Sequence, residues 1–512
     1  MKFAFGKLLP FLLLISVTAY GQNAPRQAKD TPTELEEIIP FGEKGFVMIL
    51  LDNQERPSKL GLRMFSNAEE LIAEKEIDLR GEGPLLNQFE GAFEWDGMLC
   101  VLTSLYYPGP KRNHLILRKY QLPDFAEGEA KLIDEAYTPE YNRIPFGFSK
   151  SKDNRFAMFY SWTYTLPEDP AKLTVKVLDK NLEEQWTQRY ILPFLNQSLF
   201  IFDCAVNRQG QAFIYCENYS GKPGRYIDEE KIDYFILRAD SDKKDLIKYD
   251  LNPNGRTMTG LKIKMDSTDA IYGAAFLQDE KKKTLLDGVY LFEIPPDGKT
   301  IERSTLGLND EMYKEKYPYG EKEAAFNANR HRFSNFNMDY IFKEADGSLV
   351  LVGEFRRELP NMWDVMFNDI LVMSVSPDLQ RFNWIQRVPK RQNGVQGNWM
   401  AHSYKAFQKK DAYFFLYNDA LENHKSEGAP KRLNEYNGER SAVVLMQVTA
   451  AGELYKIDLT EAARKRGVGV IRPGQVWEIN DGKKVMIYGD QNPNNLISAA
   501  ILFGFVWDPK LR

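Results

Sequence analysis

The stretch that decides the fold is residues 338–384, MDYIFKEADGSLVLVGEFRRELPNMWDVMFNDILVMSVSPDLQRFNW. Two pairs of apolar runs are each joined by a short polar turn, at Asp346-Gly347 in the first pair and at Ser376-Pro377-Asp378 in the second. Asp-Gly pairs accept the positive φ angles that tight hairpins require. The stretch therefore predicts two β-hairpins in series, which is a unit of four antiparallel strands.

The apolar runs of this unit are continuous and do not alternate with polar residues. Ile370–Met373 is apolar throughout, and so is Val443–Met446 further along the chain. A strand with one wet face alternates, whereas a continuous run indicates that both faces are covered. Because the chain shows almost no helical periodicity, we expect other sheets to cover both faces.

The same unit recurs along the chain, and its inner hairpin turn can be located in each copy. The turns recur about every 60 residues, which is longer than the best-known blade repeats. They are predicted at Glu43-Lys44-Gly45, Asp96-Gly97, Asp153-Asn154, Gln209-Gly210, near Asp269, and at Asp346-Gly347, Lys410-Asp411 and Asp481-Gly482.

Four-stranded sheets stacked radially, each packed between two neighbours, meet the burial requirement. We therefore predict an all-β fold, a β-propeller of seven or eight four-stranded blades. The last unit, residues 475–507, shows three clear strands. Leu35–Ile39 either begins the first unit or completes the last one, so the pattern leaves the number of blades open between seven and eight.

Through this periodicity, the chain resembles the secreted β-propeller repeat proteins as a broad group. The resemblance covers nearly the whole chain but matches no named subfamily, so it implies an architecture and no particular chemistry. Stacked β-sandwich domains are the alternative, since short strands and turns suit them too. A transmembrane barrel needs alternating strands, which the continuous apolar runs contradict.

The N-terminus has the pattern of a secretory signal. A basic start precedes the apolar run Leu8–Val17, and Ala19 and Gly21 are the small residues that a signal peptidase needs. We expect an exported protein, periplasmic or extracellular, with no membrane span, because the apolar run is far shorter than the roughly 20 residues that cross a bilayer. The predicted organisation is a signal peptide at 1–21, a flexible leader at 22–33 and a propeller domain at 34–512.

Charge and cysteine content narrow the function classes. The net charge is −5, which gives no electrostatic footprint for nucleic acid. Two of the three cysteines, Cys204 and Cys216, lie on consecutive predicted strands. A three-residue turn would place Cys216 opposite Phe202 and diagonal to Cys204, and diagonal neighbours are usually too far apart for a disulfide. Buried thiols are therefore favoured over a disulfide, which stays open.

The chain lacks standard catalytic signatures, and we predict no catalytic residue, metal site or cofactor. Its four histidines are scattered along the sequence. Asp240, Asp242 and Asp245 superficially resemble a calcium loop, but the sixth position, which needs Gly for a sharp turn, is Asp245. A hairpin turn is the favoured interpretation of this segment.

Three polar-aromatic segments are candidate ligand-binding loops. The long insert 307–337 is the first, since loops of this length are often functional or disordered. Segments 397–402 and 418–424 are the others. Aromatic rings offer stacking surfaces, and Asn and Arg offer paired donors. The candidate binding residues are Tyr317, Tyr319, Arg330, His331, Arg332, Trp399, His402, Asn418 and Asp419.

The sequence favours a non-catalytic scaffold that binds a glycan, a peptide or an envelope protein through loops at one rim. The alternative is a polysaccharide-processing enzyme with carboxylates at the central channel. Two carboxyl groups about 5–10 Å apart in an aromatic-lined channel would favour the enzyme.

Overall fold

The structure is a computed structural model that describes residues 34–506 apart from 53–57, 80–85, 139–145, 164–165, 220–231, 243–244, 280–285, 309–335, 359–364, 395–398, 411, 425–432, 437–439 and 491–499. The predicted signal peptide and leader therefore lie outside the described residues, and both remain predictions.

The strands form eight antiparallel sheets, numbered here in chain order. Sheet 1 is β1 (Glu34–Pro40), β2 (Phe46–Leu51), β3 (Lys59–Phe65) and β4 (Leu71–Asp78); sheet 2 is β5 (Leu86–Trp95), β6 (Met98–Tyr107), β7 (Arg112–Gln121), β8 (Ala126–Glu127) and β9 (Lys131–Tyr137). Sheet 3 is β10 (Phe146–Lys150), β11 (Ala157–Thr163), β12 (Pro170–Leu178) and β13 (Glu184–Leu195); sheet 4 is β14 (Leu199–Val206), β15 (Ala212–Tyr219), β16 (Ile232–Ala239) and β17 (Ile247–Asp250).

Sheet 5 is β18 (Met258–Met265), β19 (Ile271–Gln278), β20 (Leu286–Ile294) and β21 (Glu302–Gly307); sheet 6 is β22 (Phe336–Lys343), β23 (Leu349–Glu358), β24 (Val365–Val375) and β25 (Phe382–Gly394). Sheet 7 is β26 (Lys405–Lys409), β27 (Ala412–Ala420), β28 (Ser441–Thr449) and β29 (Leu454–Asp458); sheet 8 is β30 (Val470–Ile479), β31 (Lys484–Asp490) and β32 (Ala500–Val506). Short helical segments are the 3-10 turns Gly42–Lys44, Trp399–Ala401 and Leu421–His424, and α1 (Thr460–Lys465).

Each predicted inner turn joins the first and second strands of one sheet. The predicted unit 338–384 is sheet 6, in which strand order follows chain order. In its inner turn, Gly347 has a φ of 89° and its N–H donates to the Glu344 carbonyl. The turn chemistry on which the repeat was predicted is therefore confirmed.

Among the described residues, eight apolar clusters of the core lie between neighbouring sheets, one for each pair, and a small ninth joins Ala401, Ala420, Tyr436 and Val470. The eight follow one another round the molecule, from the cluster between sheets 1 and 2 to the cluster between sheets 7 and 8. The eighth joins sheet 8 to sheet 1, through contacts that include Met486 and Tyr488 with Phe46 and Met48. The sheets therefore close into a ring, which is the β-propeller predicted from the sequence.

Continuous apolar runs serve both faces of a sheet in this ring. On β24, Leu371 and Met373 pack into the cluster shared with sheet 5, whereas Ile370 and Val372 pack into the cluster shared with sheet 7. All four side chains are at most 2% exposed. Successive side chains of a strand point to opposite faces, so a run without polar residues is what burial on both faces requires.

The ring has eight sheets because β1 pairs with β2 and begins sheet 1. The predicted count of seven or eight blades is therefore confirmed, and the structure has eight sheets. Within the described residues, sheets 1 and 8 share no strand and meet by side-chain packing and hydrogen bonds. The ammonium group of Lys484 is nearly buried, donates to the Asn67 carbonyl at 3.1 Å and pairs with Glu69.

The first strand of each sheet lies nearest the centre of the ring. First strands of neighbouring sheets contact each other, as β1 does with β5 and β30, β18 with β22, and β26 with β30. The outer strands have exposed side chains at alternating positions, for example β4 and β21. The first strands therefore line the central channel.

Candidate functional site

The first strands share an irregularity at one height of the channel. In six sheets, pairing with the second strand is interrupted and then resumes for the last four or five residue pairs before the inner turn. A bulge leaves extra residues out of the ladder and re-aims their side chains. The residues left unpaired are Glu36, Glu90, Phe202, Gly260-Leu261, Asp339 and Arg472–Gln475.

The bulges place charged groups from neighbouring sheets close to one another. Burial raises the pKa of both Asp203 on sheet 4 and Asp339 on sheet 6. The nearby Lys262 ammonium of sheet 5 opposes this shift at both carboxyl groups. For Asp339 the resulting pKa is about 7, because the Arg356 charge only partly offsets desolvation and the Glu354 charge raises it further. Charges of both signs therefore line this side of the channel.

A buried ion-pair network lies directly behind Asp339. Glu354 and Lys390 have no exposed side-chain surface and pair at 2.7 Å between Oε1 and Nζ. Arg356 bridges two carboxylates, with Nε 2.8 Å from Glu354 Oε2 and Nη2 2.9 Å from Asp339 Oδ1. The Tyr404 hydroxyl donates to Asp339 Oδ2 at 2.9 Å. The network thus ties the second and fourth strands of sheet 6 to its channel-lining strand and to sheet 7.

Polar side chains carry this network up to the loops between sheets 6, 7 and 8. The Lys390 ammonium donates to Gln392 Oε1 at 2.8 Å, and the same oxygen accepts from the Ser403 N–H at 2.7 Å. Gln392 Nε2 in turn donates to the Asn418 carbonyl at 2.6 Å. We call the end of the ring that carries these loops the loop rim, and the opposite end, which carries the inner turns, the turn rim.

Two of the three predicted binding segments meet at the loop rim. Asn418 is fully buried, and its Nδ2 donates to the carbonyls of Ala401 and Ile471, each at 2.7 Å. The His402 ring is 2% exposed and lies 5.3 Å, between centroids, from the Tyr436 ring. These side chains therefore hold the loops together in the interior, and their role in ligand binding stays a prediction.

The other predicted residues have different positions. Asp419 is 3% exposed, and its Oδ1 accepts from Asn423 Nδ2 at 2.7 Å. Trp399 begins the 3-10 turn Trp399–Ala401, which lies beside β30 at the loop rim. The candidates of the long insert fall outside the described residues; they are Tyr317, Tyr319, Arg330, His331 and Arg332.

Beside Trp399, Met400 is 45% exposed and marks the surface of this part of the rim. Its sulfur lies 3.5 Å from Arg472 Nη1. Arg472, on the bulge of β30, is held by the buried Asp490 through two bonds, Nε–Oδ2 at 2.8 Å and Nη2–Oδ1 at 2.9 Å. A bidentate pair of this kind fixes the guanidinium plane and so positions what packs on it.

Two further carboxyl groups on the first strands have raised pKa values. Burial raises the pKa of Glu37 and of Glu90 to about 7, with a hydrogen bond from the Ala92 N–H opposing the shift at Glu37 and one from the Ser104 hydroxyl opposing it at Glu90. Carboxyl groups that titrate near neutral pH can exchange protons with a substrate. They are the observation that keeps an enzymatic role under consideration.

Sequence reasoning did not find the network residues Asp339, Glu354, Arg356 and Lys390. A signal was present for one of them, since Glu354 directly continues the apolar run Leu349–Gly353, where both faces were predicted to be covered. A carboxylate at such a position must be paired or neutral. Arg356 lies two residues further along the same strand, but Lys390 and Asp339 come from other strands that no local pattern connects.

The cysteines are free thiols in the structure. A bulge at Phe202 places Cys216 opposite Ile201, so the predicted pairing of Cys216 with Phe202 is wrong by one residue. Burial raises the pKa of both the Cys204 and the Cys216 thiols well above the usual value. High pKa values leave these thiols protonated and unreactive at neutral pH.

The structure also bears on metals and membranes. Within the described ranges, no three or more His, Cys, Asp or Glu side chains form a group that could hold a metal ion. In the segment that superficially resembles a calcium loop, Asp240 accepts from Arg238 Nε at 3.0 Å, beside the turn between β16 and β17. The described part of the chain has no helix with the length and apolar character to cross a membrane.

Comparison with known proteins adds likeness of architecture only. No model of a known protein family matches the chain, and no curated protein matches it at the significance required. The WD40 domain of SCAP from fission yeast has 10% identity and a TM-score of 0.41, over 92% of this chain and 91% of that chain. The β-propeller domain of the Trilobed protease from Pyrococcus furiosus has 11% identity and a TM-score of 0.35, over 83% of this chain and 96% of that chain.

A polysaccharide lyase, an ulvan lyase, has 8% identity and a TM-score of 0.38, over 81% of this chain and 90% of that chain. These low scores carry no argument about function. The class of the protein rests on its own strand order and on the closed ring of apolar clusters: it is a β-propeller.

Proposed function

We propose that the protein is an exported, non-catalytic β-propeller that binds a glycan, a peptide or an envelope protein through the loop rim of sheets 6–8. The observation that supports the proposal is the buried polar network from Glu354 through Lys390 and Gln392 to Asn418. Buried ion pairs are weak evidence for stability, because desolvation offsets their attraction. Binding loops, in contrast, need supports that hold them in one geometry.

Exposure of side chains at the rim agrees with this role. Met400 presents a large apolar side chain beside the 3-10 turn that Trp399 begins, above the fixed Arg472–Asp490 pair. Solvent-exposed Met side chains suit binding surfaces because they adapt to the shape of a partner. Export to the periplasm or cell exterior forms part of the proposal and rests on the predicted signal peptide.

The rim is tested by measuring binding of the exported chain to a glycan array, to a peptide library and to envelope extract, followed by titration of each hit. Met400→Glu and Trp399→Ala are each expected to weaken the affinity for a hit at least tenfold. A large side chain that becomes buried in the centre of a complex contributes about 1.4 kcal/mol or more to binding. Tyr455→Ala is the control, since Tyr455 is 47% exposed on the outer strand β29.

A hit that binds both rim variants as tightly as the unchanged protein would contradict the rim proposal.

His402→Ala belongs in the same series of binding measurements, with its melting temperature recorded as well. Because His402 is buried against Tyr436, we expect it to weaken binding by displacing the loop and to lower the melting temperature as well.

The second candidate is an enzyme of polysaccharide processing that works in the channel. The observation that favours it is the set of three carboxyl groups on first strands, Glu37, Glu90 and Asp339, whose pKa values are raised to about 7. A protonated carboxyl group at neutral pH can act as a general acid. If the protein cleaves a glycan chain, and the Glu90→Gln variant folds but no longer cleaves it, the result would favour the enzyme over the scaffold.

A further inference from the structure

A second concave surface lies far from the loop rim, between sheets 4 and 5 and close to the turn rim. It is a cleft of about 200 Å³ that opens on the channel. Its floor is apolar and belongs to the cluster between the two sheets, with Phe213, Ile236 and Ile271 among its side chains. A cavity of roughly 150 Å³ with an apolar lining holds a benzene-sized group, so this cleft has room for one ring or a short branched chain.

The mouth of the cleft is cationic. Lys150, Lys152 and Lys264 line it, and Asp203 is the acidic residue among the lining side chains. Lys150 is partly neutralised, with its Nζ 3.8 Å from Glu94 Oε2. Lys152 and Lys264 make no ion pair with the described residues, so the mouth keeps an excess of positive charge.

The two unpaired lysines also lie close to each other. Burial lowers the pKa of Lys264 and the positive charge of Lys152 lowers it further, whereas the nearby Asp266 carboxylate opposes the shift. The Lys264 ammonium donates to the Ile341 carbonyl at 3.1 Å, which fixes its position without neutralising it. Two ammonium groups that repel each other at the edge of an apolar cavity would both be stabilised by one anion between them.

We propose that this cleft binds an apolar group that carries a carboxylate, with the apolar part between sheets 4 and 5 and the carboxylate at Lys152 and Lys264. A free small acid and the C-terminal residue of a peptide share this chemistry. The site is separate from the loop rim, so this proposal does not depend on the function proposed above.

The test is isothermal titration of the full exported chain with phenylacetate and, separately, with a short peptide that ends in Phe with a free carboxylate. Phenylacetamide and the C-terminally amidated peptide are the matched neutral probes. We expect the acids to bind at least tenfold more tightly than their amides, since a hydrogen bond to a charged group is stronger than one to a neutral group. Binding of both acids supports a site for any apolar group that carries a carboxylate. Binding of phenylacetate alone identifies a small acid as the ligand, and binding of the peptide alone identifies the C-terminal residue of a peptide.

Variants locate the site. Lys152→Ala and Lys264→Met are each expected to weaken binding of the acid about tenfold, and Lys152→Glu to weaken it more. Lys299→Ala is the control, because the Lys299 side chain is 79% exposed on the outer hairpin of sheet 5. Since Lys152 is exposed, its variants report on the site even if Lys264→Met lowers stability. Equal binding of acids and amides, no binding of any probe, or unchanged affinity in the Lys152 variants would overturn the proposal.

Discussion

Lys390→Met is expected to lower the free energy of unfolding by about 3–5 kcal/mol, the cost of removing one partner of a buried ion pair. The reason is that Glu354 has no exposed surface and loses an ammonium group 2.7 Å away. Among the described residues, Glu354 then keeps only Arg356 as a counter-charge. The Lys390 ammonium also donates to the Phe367 carbonyl at 2.9 Å, which then loses a donor. Denaturant unfolding followed by far-UV circular dichroism measures the loss.

A double-mutant cycle identifies the pair as the cause. We expect Lys390→Met combined with Glu354→Met to cost less than the sum of the two single changes, because the carboxylate that Lys390 balances is removed together with it. Lys248→Met is the matched control: its partner Asp233 lies 2.7 Å away, but both side chains are more than a third exposed. An exposed pair contributes about 0–1 kcal/mol. Equal losses for Lys390→Met and Lys248→Met would contradict the buried network.

The second large effect is a loss of stability between about pH 4.5 and 7, which Glu90→Gln is expected to reduce. Burial raises the pKa of Glu90 from 4.5 to about 7 in the folded protein. Below pH 4.5 the carboxyl group is protonated in both states, so it stabilises the fold fully there. As the pH rises to 7, the unfolded chain loses its proton first, and the stabilisation disappears.

A shift of this size corresponds to about 3 kcal/mol at pH 8, at 1.36 kcal/mol for each pKa unit. We therefore expect Glu90→Gln to be more stable than the unchanged protein at pH 8 and to lose that advantage at pH 4. The measurement is the urea midpoint at both pH values, with the exposed residue Glu129 changed to Gln as control. If Glu90→Gln shifts the midpoint equally at both pH values, the raised pKa is wrong.

Local chemistry was enough to predict the repeating hairpins. Both the turn at Asp346-Gly347 and the apolar run Ile370–Met373 can be recognised from neighbouring residues in the sequence. The turn requires residues that accept positive φ angles, and the run requires apolar side chains on both faces of the strand. Those requirements are the same in every copy of the unit, so a pattern in one copy predicts the others. Residue patterns could also locate the loop-rim segments around His402 and Asn418.

Whether the side chains of those segments face solvent was beyond local reasoning. Asn and His are ordinary in exposed loops and in buried polar networks alike, and burial depends on what the neighbouring sheet places above them. Asn418 is buried because a carbonyl from sheet 8 and another from the turn at Ala401 converge on its amide. The pairing of Cys216 failed for a related reason, because the bulge at Phe202 shifts the register by one residue.

The sequence by itself determined a propeller of stacked four-stranded units, since turns and two-sided apolar strands are local properties that each unit carries. Only the tertiary structure decided that there are eight sheets. The sequence of β1 suits pairing either with β2 or with the last sheet, and only the fold shows that β1 pairs with β2. The tertiary structure also decided which charges meet. Asp339, Glu354, Arg356 and Lys390 come from three strands, and the network exists only because the sheet and its bulge bring them within hydrogen-bond distance.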